Sequence, residues 1–208
     1  MSVPVVPSLP AGHLVTLNDM FALETAATFL LSKPYAHITD QSGGQSLTTV
    51  GTSNHGAAVP LVGATTALIN NGTSGCIDSD GMWIWGGTGT GSYLLVNTPG
   101  WYYSRFALRA STAATASWMQ AWLLFTPGPN SPFASYYPNG QAMWRNQCIF
   151  DGTSFQGVVT GGGLSPFPLY SGDAIQLYAY LDTSTATTQI AATSFENTFI
   201  EAEWVSSV

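Results

Sequence analysis

Apolar and polar positions change rhythm twice along this chain. Over residues 1–13, Pro4, Pro7 and Pro10 recur every third position between Val3, Val5, Val6 and Leu9. Proline fixes φ and lacks an N–H, so this spacing forbids helix and predicts a sticky extended arm. From Thr16 the spacing turns helical. Leu17, Met20, Phe21, Ala27, Leu30 and Leu31 recur near helical intervals, Leu23 and Phe29 fall on the other side, and Pro34 ends the run. Thr16 is the expected N-cap, with Asp19 three residues on, where a full capping box prefers Glu or Gln. A helix apolar round most of its circumference has to be covered from more than one direction.

From residue 35 the apolar runs are short and separated by Gly, Ser, Thr, Asn and Pro. They span 35–39, 47–50, 59–62, 67–69, 82–85, 93–96, 101–110, 118–125, 147–150, 155–159, 174–181, 188–192 and 195–205. This rhythm predicts an all-β sandwich or barrel with no second helix. The best strand follows Pro99-Gly100, a turn signal, and runs through Trp101, Tyr102, Tyr103, Ser104, Arg105, Phe106, Leu108 and Arg109. We expect it to be central, with Arg105 and Arg109 meeting acidic or carbonyl partners, across a subunit boundary if the chain assembles with copies of itself. Residues 126–146 read as a long loop with its own aromatics, and Gly161-Gly162-Gly163 as another loop. The chain thus divides into an arm and helix over 1–34 and a β domain over 35–208.

Composition sharpens this picture. Only 7% of the 208 residues are charged, against roughly 25% in an ordinary soluble domain, while 12% are aromatic. The surface must therefore be hydroxyl, amide and ring, which suits a chain assembled with copies of itself, where charges would have to be desolvated. Eleven acidic against four basic residues argues against nucleic acid, since no basic footprint can displace counterions. No apolar run is long enough for membrane insertion, and residues 1–7 lack the pattern of a signal peptide. Cys76 and Cys148 read as buried free thiols.

Candidate chemistry is thin. Gly86-Gly87-Thr88-Gly89-Thr90-Gly91-Ser92 lacks the Gly-Lys-Ser/Thr ending of a phosphate loop and lies between strand-like runs. Asp78-Ser79-Asp80-Gly81 opens like a calcium loop but lacks the later oxygens, and a turn capped by short acids explains it. His13, His37 and His55 lie in separate contexts, with neither a nucleophile elbow nor a zinc motif. Glu201 and Glu203 alternate with Ile200, Ala202 and Trp204, so they share one strand face, expected to be solvated. No catalytic residue, cofactor or metal is assigned. The aromatics Phe133, Tyr136, Tyr137 and Trp144 are candidate receptor or glycan contacts.

Together, residues 36–205 resemble the C1q/TNF-like jelly roll as found in small trimeric fibre and decoration proteins of bacteriophages. The resemblance rests on Pro99-Gly100-Trp101-Tyr102, a second long strand ending in Phe125, Ser171-Gly172-Asp173-Ala174-Ile175-Gln176-Leu177-Tyr178, and the closing run from Ser194-Phe195 through Phe199-Ile200. The front part, Pro10-Ala11-Gly12-His13-Leu14-Val15-Thr16-Leu17-Asn18 with the helix and Pro34, is similar to that of minor tail proteins from phages of actinobacteria. The resemblance implies a C1q/TNF-like jelly-roll β-sandwich behind an extended arm and one short α-helix. It also implies a homotrimer with no enzymatic activity, on the virion surface as a minor tail, head-fibre or capsid decoration protein assembled in the bacterial cytoplasm. Its partners would be other virion structural proteins, tail or capsid, and possible host-surface glycan. In that family the N-terminal segment anchors to the particle, which would assign Val3, Val5, Val6, Leu9, Leu17, Met20, Phe21, Leu30 and Leu31 to the anchor. A carbohydrate-binding module is the alternative reading, and a polysaccharide hydrolase a more distant one.

Overall fold

The computed structural model describes residues 4–5, 7–39, 46–48, 59–60, 77–84, 92–112, 118–149, 156–181, 187–190 and 198–208. The expected strand runs at 67–69 and 155, the glycine-rich run 86–91, His55, Cys76, Val3 and Val6 lie outside the described residues.

Helix α1 spans Leu17–Leu31. Its first turn is closed by a reciprocal pair in which Asp19 does what Glu or Gln more often does. The Asp19 amide donates to Thr16 Oγ1 at 3.3 Å, and the Thr16 amide donates to Asp19 Oδ2 at 2.8 Å. The Thr16 hydroxyl, and then His13, also bond this carboxylate and hold the Asp19 pKa down at about 2. Ser32 ends the helix by donating its amide to Thr28 and Phe29 carbonyls, and Pro34 turns the chain into β1, Tyr35–Thr39.

Seven further strands of the sandwich follow in chain order. They are β6 Tyr93–Leu95, β7 Trp101–Thr112, β8 Trp118–Thr126, β9 Gln141–Ile149, β10 Gln156–Leu164, β11 Ala174–Leu181 and β13 Phe199–Ser206. Their antiparallel pairing is nested: β1 with β13, β6 with β11, β7 with β10, and β8 with β9. One long hairpin rolled on itself gives that nesting, so the domain is a jelly roll. The two sheets read β1-β13-β7-β10 and β6-β11-β8-β9. Shorter strands extend them: β2 Ser46–Thr48, β4 Ile77–Asp78 and β12 Thr187–Ile190 on the first, β3 Val59–Pro60 and β5 Trp83–Ile84 on the second. The all-β sandwich, with an arm and one short helix before it, is the architecture expected from the sequence.

Alternation along the strands builds the core. Ile38, Tyr102, Phe106, Leu108, Ile200, Ala202 and Trp204 point inward from the first sheet. Leu94, Met119, Leu123, Phe125, Ile175 and Leu177 meet them from the second. β7 is central, as expected, lying between β13 and β10. Its entry turn is fixed by paired amides between Gly100 and Leu169, and by the Tyr102 hydroxyl donating to the Thr98 carbonyl at 2.6 Å. Gly100 is required by a close approach: a Cβ there would fall 2.2 Å from the Trp204 indole nitrogen and 2.4 Å from a backbone oxygen.

Two loop expectations change. Gly161-Gly162-Gly163 lies inside β10, because a Cβ on Gly161 would fall 2.7 Å from the Phe106 ring, and the Trp144 ring covers Gly163. The loop expected over 126–146 ends at Gly140, since β9 begins at Gln141 and carries Trp144 on a strand. Asp78 caps its turn as expected, its carboxylate accepting from the Asp80, Met82 and Trp83 amides.

Candidate interaction surfaces

Three surfaces collect the polar chemistry and the exposed apolar groups. The first is the outer face of the β1-β13-β7-β10 sheet. Register places His37 opposite Glu201 and Glu201 opposite Arg105. Arg105 Nε donates to Glu201 Oε1 at 2.7 Å and its Nη2 to Oε2 at 2.9 Å, while His37 Nδ1 meets Oε2 at 2.8 Å. Glu203, next along that face, pairs with Lys33. The expectation of a solvated glutamate face therefore fails at Glu201, whose side chain is only 3% exposed. Partners distant in sequence close over it from both neighbouring strands. The acidic partner expected for Arg105 exists, but it lies in the same chain. The side chain of Arg109 is outside the described residues, as is that of Cys148.

Burial alone would raise the Glu201 pKa, but hydrogen bonds from His37 and Arg105 outweigh it and hold the carboxyl below its ordinary value. Tyr35, beside it, is pushed up to about 12 by burial and then by the Glu201 charge. With both oxygens occupied, the carboxylate braces three strands. A group with a depressed folded pKa contributes stability that is present above its unfolded pKa. That stability is lost as pH falls from about 4.3, the unfolded glutamate value. We therefore expect the denaturation midpoint of the wild-type chain to drop on acidification through that range, and the drop to be smaller in Glu201→Gln. Equal pH slopes in the two proteins would remove Glu201 as the source. Around this brace the face is ring and aliphatic, with Tyr103, Val158 and Leu164 exposed and the Phe199 ring 4.9 Å from His37.

The second surface is the aromatic loop between β8 and β9. Phe133 and Tyr137 turn their rings into the sandwich, against Phe125 and Phe167, at centroid distances from 4.8 to 6.5 Å. Tyr136 stands 75% exposed on this platform. Trp144 is half-buried on β9 in the left-handed region, φ 52°, with its indole N–H buried and unpaired. Phe133, Tyr136 and Tyr137 thus share the loop before β9, whereas Trp144 lies apart from them on the strand, over Gly163, and of the four only Tyr136 is openly presented.

The third surface is the N-terminal segment. The helix meets its own sandwich through Ala26 and Phe29, and the Phe29 ring packs edge-on to Trp204 at 5.0 Å. Of the two residues expected on the other side of the helix, Phe29 docks and Leu23 stays exposed. Leu17, Met20, Phe21, Leu30 and Leu31 are exposed, as are Val5, Leu9, Leu14 and Val15. Among the described residues no helix is long and apolar enough to cross a membrane, and no group of three His, Cys, Asp or Glu side chains could hold a metal ion.

No protein-family model matches the chain, and no curated protein matches it. Among solved structures it is similar to the crystal structure of murine APRIL at pH 5.0. The TM-score is 0.48 and the identity 11%, over 83% of this chain and 98% of that one.

Proposed function

We propose that the protein is a non-enzymatic structural subunit of a bacteriophage virion. It is a homotrimer displayed on the particle surface as a minor tail, fibre or capsid decoration protein, assembled in the host cytoplasm and held by its N-terminal segment. The observation that carries this reading is the N-terminal segment, a folded and capped helix that presents large apolar side chains to water on the side away from its own domain. A helix apolar outside as well as inside is stable only when covered. Val3, Val5, Val6 and Leu9 of the arm, with Leu17, Met20, Phe21, Leu30 and Leu31, supply that contact with the particle. The ring-and-aliphatic outer face of the β1-β13-β7-β10 sheet supports the trimer, because its described charges, Arg105, Glu201, Lys33 and Glu203, are already paired within one chain.

Light scattering of the purified chain should give roughly three times 21.9 kDa. Deleting residues 1–34 should leave a soluble trimer that no longer joins particles, measured by its absence from purified virions after complementation. A monomer removes the trimer, and a truncated chain that still incorporates removes the anchor. Tyr136, exposed on a rigid aromatic platform, favours a second role in touching host glycan, which loss of adsorption in Tyr136→Ala would support and unchanged adsorption would remove.

A further inference from the structure

The helix has more apolar surface than one contact explains, and its spacing says how that surface divides. At 3.6 residues per turn, Ala22, Ala26 and Phe29 share the side turned toward the sandwich, where Ala26 and Phe29 are the buried residues. Roughly 100° further round the axis lie Met20, Leu23, Ala27 and Leu30, at intervals of three, four and three. All four are exposed. This is the spacing of a helix–helix seam, in which each side chain inserts between residues of a facing helix. Leu17, Phe21 and Leu31 lie beyond it, on the third side.

The bare area exceeds what one contact uses. Leu14, Val15, Leu17, Met20, Phe21, Leu23, Leu30 and Leu31 are between 40 and 88% exposed. At on the order of 150 Å² per large apolar side chain they leave roughly 800 Å² bare, of which the stripe's Met20, Leu23 and Leu30 hold about a third, a seam that adds to a trimer contact rather than replacing it. A lipid surface does not fit. Residues 1–32 contain no Lys or Arg and include Asp19 and Glu24, whereas interfacial helices carry basic polar faces.

We infer that the Met20-Leu23-Ala27-Leu30 stripe packs against the same stripe in other copies of this chain, so that the α1 helices gather in a parallel bundle at the base of the trimer. This rests on the trimeric reading above and deepens it. The seam takes Met20 and Leu30 out of the particle contact and leaves Leu17, Phe21 and Leu31, with the arms, to make it. Glu24 falls outside the stripe, so parallel copies need not bury it.

Cysteine cross-linking of the full chain tests this. Ala27→Cys, treated with copper phenanthroline as oxidant, should yield a disulfide-linked dimer band on a non-reducing gel. Thr25→Cys, on the opposite side of the helix, and the wild-type chain, which controls for Cys76 and Cys148, should yield several times less. Each variant is first sized by light scattering. A trimer with the Ala27→Cys cross-link supports the seam. A trimer in which Ala27→Cys stays open to a maleimide, or cross-links no better than Thr25→Cys, overturns the seam and leaves the trimer standing. A monomer removes the trimer and the seam with it.

Discussion

Trp204→Ala should cost about 3–5 kcal/mol of stability, the usual range for emptying a buried tryptophan site, and should free helix α1 from the domain. Trp204 is buried where three parts of the chain meet. Its ring receives Phe29 edge-on, its indole N–H donates to the Pro99 carbonyl at 3.1 Å, and its amide donates to the Pro34 carbonyl at 2.9 Å. Removing the ring therefore opens the core, orphans a carbonyl in the turn before β7 and takes away the seat of Phe29. The denaturant midpoint measures the first effect, and protease cleavage between α1 and β1 the second. Phe29→Ala serves as the comparison, since it should release the helix while leaving the β domain closer to wild type. A Trp204→Ala midpoint within about 1 kcal/mol of wild type would mean that the site collapses or that the helix does not dock there.

Asp173→Ala should be of similar size, at about 2–6 kcal/mol. Asp173 is fully buried, its Oδ1 accepting the Gly128 amide at 2.9 Å and its Oδ2 the Tyr170 amide at 2.8 Å. Alanine leaves both donors without an acceptor, each at about 1–3 kcal/mol. Asp173→Asn keeps one acceptor oxygen and should recover about half of the loss. The same denaturation experiment decides it: if asparagine is no better than alanine, the charge rather than the acceptor geometry carries the effect.

The strands were legible in the sequence because their signal is local. Pro99-Gly100 announced β7, and Ser171-Gly172-Asp173 announced β11, although only the structure explains the aspartate, as a clamp on a loop 45 residues away. Alternation correctly put Glu201 and Glu203 on one face. It misjudged solvation there because burial depends on Arg105 and His37, 96 and 164 residues distant. Glycine misled for a related reason. Three in a row signal a loop when read locally, whereas in β10 they make room for Trp144 and Phe106, which arrive from other strands. In the helix, periodicity found two sides but could not tell which would dock, since both are apolar and the partner, Trp204, lies at the far end of the chain. The candidate contacts were read alike from their loop setting, yet only Tyr136 is openly exposed, because Phe133 and Tyr137 turn inward to rings that the sequence does not place beside them.

The nesting of the strands has a consequence for synthesis. The first and last strands pair, and β13 is inserted between β1 and β7, both made earlier. Until Phe199–Ser206 is in place, the sheet has a gap at its centre, Arg105 and His37 lack their carboxylate, and Phe29 lacks the Trp204 ring. Such long-range closure places folding toward the slow, millisecond-to-second end of two-state domains, and the sheet is completed only once β13, made after all its partners, is available. A nascent or truncated chain cannot display a finished face. Strand β13 thus acts as a built-in check that every strand of its sheet has been made.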